Sequence, residues 1–223
     1  MRGKVTMIKE LKKTIKLLKY AYQYKMNVCF GIIFIVLGVC MFLIGHENSM
    51  LLGGVYIMLG PMMMQQIGCA LLYCNLVASS GQKRFLETIY SDVIIGGTSI
   101  LVYGVTIVYC VIRQQFQTEP VHLGNVAITI AFCLAAVLCY YGVVYKFFVS
   151  GIILFALAYM VTYFGGAACI KSDFFQFDLK EAALIGLVVV IVGNVIGILL
   201  RRLFYRKPIS KAGAGAELRK SMV

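Results

Sequence analysis

Residues 123–164 read LGNVAITIAFCLAAVLCYYGVVYKFFVSGIILFALAYMVTYF, with Lys146 as the single charge. Wound as one helix, this run would be about 63 Å long, roughly twice the thickness of bilayer hydrocarbon. It is therefore two spans, Leu123–Tyr145 and Phe147–Phe164, joined by a tight turn within Val144–Gly151. The same reading outward finds four more uncharged runs near the ~20 residues that a tilted helix needs to cross hydrocarbon. They are Met26–Ile44, Leu51–Cys74, Val93–Ile112 and Ala182–Leu200. The expected fold is an all-α polytopic membrane protein with six transmembrane helices.

Composition agrees. The 223 residues are 61% hydrophobic and 13% charged, with mean hydropathy +0.89, more apolar surface than a soluble domain of this length can hide. Net charge is +12. The basic residues cluster beside apolar spans, which points to anionic lipid headgroups rather than nucleic acid. The eight cysteines fall mostly within or beside apolar runs and form no C-x-x-C pair, so they read as small packing residues.

Counting charge orients the chain. With six spans and both termini inside, 18 basic residues lie on the cytosolic side and only Arg113, Lys171 and Lys180 outside. This is the bias expected of a multi-pass plasma (inner) membrane protein. Residues 1–25 precede the spans and are rich in lysine. Within them Ile8, Leu11, Ile15, Leu18 and Tyr22 recur at steps of three and four, giving one apolar stripe on an otherwise basic helix. Such a helix lies flat at the lipid headgroups, its stripe facing lipid. The transmembrane domain covers 26–200, and 201–223 forms a basic cytosolic tail.

Catalytic chemistry has nothing to act with. The spans as placed hold no acid or base, and the sequence contains no HExxH, no G-x-S-x-G and no P-loop. No catalytic, cofactor-binding or metal-binding residue is expected. Glycines recur at heptad spacing, as in Gly31/Gly38/Gly45 and Gly186/Gly193, and Gly193–Gly197 forms a GxxxG. Small residues on one face let helices approach closely, within one bundle or across a homodimer. In the second span, Pro61, Met64, Gln65 and Gln66 combine a proline, a flexible methionine and two amides, which could line a path.

The interior loop Asn75–Asp92, NLVASSGQKRFLETIYSD, carries charge of both signs on the cytosolic side. A short helix over Gln82–Tyr90 would expose Lys83, Arg84 and Glu87 and leave Phe85 or Tyr90 to plug a pocket. In layout the chain resembles the permease subunits of bacterial type II ABC exporters. The matching features, in order, are an amphipathic start (Met7–Tyr22), the stretch VASSGQKRFLETIYSDVI between the second and third spans, and the outer segment GGAACIKSDFFQFDLK before the last. Many such permeases carry a proline near the third span, where this chain has Ser91-Asp92.

The resemblance implies an exporter driven by a separate cytosolic ABC ATPase. That subunit would dock on Gln82, Lys83, Arg84, Phe85, Glu87 and Tyr90, and a second permease copy or homologue would complete the transporter. It implies no enzyme activity in this chain. Two other readings share the layout: a substrate-binding membrane subunit of an uptake system, and a non-transport immunity or assembly protein.

Overall fold

The computed structural model describes residues 13, 16–21, 24–44, 46–72, 83, 85–116, 123–144, 146–171 and 177–206. Among them the chain is helical, with no strand. The helices are α1 (Tyr24–Ile44), α2 (Glu47–Leu72), α3 (Phe85–Phe116), α4 (Leu123–Val143), α5 (Phe148–Lys171) and α6 (Leu179–Phe204). Five of them, α1 to α4 and α6, are long and apolar enough to cross a membrane. In α5 the described apolar stretch, Val149–Gly165, is shorter.

The apolar run 123–164 does bend at Lys146. The amides of Lys146 and Phe147 both donate to the Val143 carbonyl at 3.0 Å, and α5 starts one residue later. Helix α4 lies at the centre: 61% of its apolar window is buried, against 22% for α1 and for α6. Its small residues explain this, since Gly124, Ala127, Ala131 and Gly142 are all buried and let neighbours approach on several sides. Helix α6 packs most extensively on α4, α1 packs on α2, and α3 touches α2, α4 and α6. The outward faces stay apolar, with Val36 on α1, Leu154 and Val161 on α5, and Leu184 and Leu199 on α6 all exposed. Such surfaces fit a membrane protein.

The glycine heptads on α1, α2 and α6 serve internal contacts, whereas Gly97 and Gly104 of α3, also seven apart, have nothing within 4 Å of an added Cβ. Gly31 and Gly38 of α1 meet Gly60 and Gly53 of α2. A Cβ on Gly193 would stand 2.8 Å from the Ala135 backbone, and one on Gly197 would stand 2.6 Å from the Leu138 carbonyl. The GxxxG of α6 is thus occupied by α4. Above it, Tyr103 of α3 fills the notch at Gly186, its hydroxyl donating to the Ala182 and Ala183 carbonyls at 3.1 and 3.2 Å.

At the other end of α6, Asp178 caps the helix by accepting from the Leu179 amide at 2.8 Å. The segment Gly165–Lys180 is helical as far as Lys171 and again from Leu179; residues 172–176 lie outside the described residues. Of the predicted interfacial stripe, Ile8, Leu11, Ile15 and Tyr22 also lie outside them. Leu18 is described, and it is buried in the core rather than turned to lipid, while Lys16, Lys19 and Tyr20 beside it are exposed.

These contacts yield a first expectation. Gly197→Ala must part α4 from α6 against backbone, and should cost about 1–3 kcal/mol, the usual penalty for overpacking. Gly104→Ala, with nothing within 4 Å of the added carbon, should be neutral or slightly stabilising. Thermal unfolding of the two variants in detergent checks the contrast.

Candidate functional site

The polar groups of the bundle converge where α3 begins. From Phe85 to Tyr90 and from Asp92 to Gly96 the chain is wound as π-helix, turning to α-helix from Gly97. Such winding is rare, and where it occurs it often marks functional sites. Its consequence here is steric. In an α-helix five residues turn through ~500°, leaving Glu87 and Asp92 about 140° apart. The wider i→i+5 turn closes most of that angle, so both carboxylates can face neighbouring helices.

Glu87, only 2% exposed, pairs through Oε1 with the Lys146 ammonium in the turn between α4 and α5. Asp92 Oδ1 lies 2.5 Å from an Nη of Arg201, a residue of α6 that is 4% exposed. Between the two acids, Ser91 is fully buried. Its hydroxyl accepts from Gln65 of α2 at 3.1 Å and from Arg201 at 3.4 Å. Tyr90 lays its ring over Gly68 and donates from its hydroxyl to the Met64 carbonyl at 3.1 Å. Within six residues, α3 is thus tied to α2, to α6 and to the α4–α5 turn.

At the far side of this segment the winding returns to α, with the Gly97 amide donating to the Val93 and Ile94 carbonyls. Two hydroxyls serve that junction. Ser99 donates to the Ile95 carbonyl at 2.7 Å, and Thr98 donates to the carbonyls of Ile94 and Ile95. On the opposing side, the amide of Asn194 sits against Gly96, where a Cβ would stand 2.7 Å from its oxygen.

The four charges sum to zero, as burial demands, but the network is incompletely satisfied. Gln65 Oε1, Glu87 Oε2, Arg201 Nε and Asn194 Oδ1 are buried without a hydrogen-bond partner among the described residues. Buried pairs offset much of their attraction by lost hydration, so their net contribution to stability is small. Loss of one partner is different, because it strands a charge. The arrangement is therefore strongly constraining and only weakly stabilising.

Sequence placement of this site needs three corrections. Glu87 was expected to face the cytosol; it is buried, because Lys146 folds over it. Phe85 and Tyr90 are buried too, packed in the bundle rather than set aside as free plugs. The third span was expected to start at Val93, after the last charge, whereas α3 begins at Phe85, so acids and an arginine do stand inside the helices. Lys83 is half-buried, and Gln82 and Arg84 lie outside the described residues.

The proposed path residues separate. Pro61 is buried in an unbroken helix, Met64 and Gln66 are half-buried, and Gln65 is fully buried on Ser91. Sequence reasoning missed Ser91, Asp92, Lys146 and Arg201 as partners. Lys146 had left a signal, as the only charge between two apolar runs.

A second feature is apolar. A cleft of about 130 Å³ opens between α2, α4 and α5, lined by Leu51, Met58, Ile130, Leu134, Phe155 and Tyr159 among others. Among the described residues no group of His, Cys, Asp and Glu could hold a metal ion.

Because unpaired burial is the costly state, Lys146→Met or Glu87→Gln alone should lower the unfolding free energy, Lys146→Met by about 3–5 kcal/mol. The combined Glu87→Gln/Lys146→Met variant should recover most of that loss. Thermal unfolding of all three against the parent chain reads the difference.

No protein-family model matches this chain, and no curated protein or solved structure matches it. The functional reading therefore rests on the geometry.

Proposed function

We propose that the chain is the permease subunit of an ATP-driven transporter, an exporter working with a separate cytosolic ABC ATPase and a second permease copy or homologue. In this reading α5 also crosses the membrane, as the fifth of six spans, both termini are cytosolic, and residues 1–25 form an interfacial amphipathic helix on the inner leaflet. One observation carries the proposal: the first turns of α3 are bound by side chains to α2, α6 and the α4–α5 turn. Force applied just ahead of Phe85 therefore reaches most of the bundle, which is what a subunit moved by an external motor requires.

This divides the coupling segment into two parts. Gln82, Lys83 and Arg84 form the docking face, and Phe85, Glu87 and Tyr90 transmit from within the bundle. In this reading ATP hydrolysis belongs to the partner, consistent with a sequence that carries no P-loop. Gln65, beside Pro61, lies where α2 meets the transmitting segment.

The two parts fail differently when altered. Lys83→Glu/Arg84→Glu should abolish co-purification of an ATPase in mild detergent, and with it ATP-dependent flux. Glu87→Gln should keep the ATPase bound while uncoupling its hydrolysis from transport. Failure of the unaltered chain to bring down any ATPase would overturn the proposal.

The apolar cleft favours a second reading, a membrane subunit that captures a small apolar molecule for uptake. Native mass spectrometry of the purified chain distinguishes it: a stoichiometric small molecule retained after purification supports capture, and its absence supports the permease.

A further inference from the structure

We propose that residues 85–96 are a two-state switch, π-wound and latched as described above, α-wound when released. The device belongs to the chain itself and requires no ATPase partner. Two ion pairs, Glu87–Lys146 and Asp92–Arg201, form the latch.

Three observations converge on it. First, the segment has an ordinary alternative, since π winding is rare and α-helix is the usual form of the same chain. Second, the two pairs depend on the winding together. Passing to the α form would turn Asp92 further from Glu87 about the helix axis, to about 140°, so at least one of the two partners, Lys146 in the α4–α5 turn or Arg201 on α6, would have to move or let go. Third, the latched state is not deeply favoured. Glu87 Oε2 and Arg201 Nε lack hydrogen bonds among the described residues, and buried ion pairs gain little net free energy. The released form costs little at its outer edge, because Val93 is already exposed and Gly97 has nothing within 4 Å of where a Cβ would sit. Thr98 and Ser99 mark the fixed side of the switch, where their hydroxyls hold the carbonyls at the π-to-α junction.

Winding couples the pairs, so breaking either releases the whole segment. Lys146 touches only Glu87 of the two acids, yet its loss should loosen the Asp92 turn as well. A merely local packing role would not do this.

Hydrogen–deuterium exchange of the full-length chain in lipid nanodiscs, resolved by mass spectrometry, tests the proposal. In the unaltered protein the amides of 85–96 should exchange as one unit, about tenfold or more faster than those of 97–116. Lys146→Met should speed both the 85–90 and the 92–96 amides and leave α4 unchanged. The charge exchange Glu87→Lys/Lys146→Glu should return both turns to within about twofold of the parent rate.

Three results would each overturn the switch. In the first, residues 85–96 are as protected as 97–116 in the unaltered protein. In the second, the effect of Lys146→Met stops at residue 90 or spreads evenly into α4. In the third, the charge-exchanged pair remains as fast as Lys146→Met. The first comparison needs no variant, so it decides the matter even if Lys146→Met does not fold.

Discussion

Two carboxylates on the first turns of α3 set the terms for one end of this bundle. Glu87 is buried among apolar helices and Asp92 is half-buried beside it, and burying a carboxylate without a cation is costly. Lys146 must therefore fold back from the α4–α5 turn, and Arg201 must reach in from the last turn of α6. That double demand draws the α4–α5 turn and the end of α6 toward α3, which abandons α-winding at eleven of the twelve positions 85–96. Gln65 and Tyr90 then fasten α2 to the same point, through Ser91 and the Met64 carbonyl.

The opposite constraint governs the middle of the bundle. There the helices meet through absence of side chain: Gly193 on Ala135, Gly197 on the Leu138 carbonyl, Gly38 against Gly53 and Ile57. Dispersion between close backbones holds these pairs, and nothing in them can be rearranged without a clash. A rigid middle and a weakly favoured, charge-latched end suit a protein that moves at one end and keeps its helix pairs intact. The proposed division between a docking face at residues 82–84 and a transmitting segment behind it follows from that contrast.

Much of the fold was legible because its signals are local. Apolar run length marked the helices, the lone Lys146 marked the α4–α5 hairpin, and most of the glycine heptads, though not Gly97/Gly104, marked close contacts. The site was less legible, for a physical reason. Charge is normally read as solvent exposure, and that rule placed Glu87 outside and began the third span at Val93. It fails wherever a distant opposite charge completes the site. Lys146 lies 59 positions from Glu87 and Arg201 lies 109 from Asp92, and no periodicity connects them. The π-winding was equally hidden, because what it achieves, turning two residues five apart to neighbouring partners, only has meaning once those partners are in place. Leu18 shows the same limit in apolar form: spacing put it on a lipid-facing stripe, but spacing could not say that this one residue packs into the core.

The most direct test is a double-mutant cycle on Asp92 and Arg201, with Asp92→Asn, Arg201→Met and the combination followed by equilibrium unfolding in mixed micelles. A buried, mutually dependent pair predicts a coupling energy of about 1–3 kcal/mol. Additivity within about 0.5 kcal/mol would contradict it, and would mean that this pair does not hold α3 to α6.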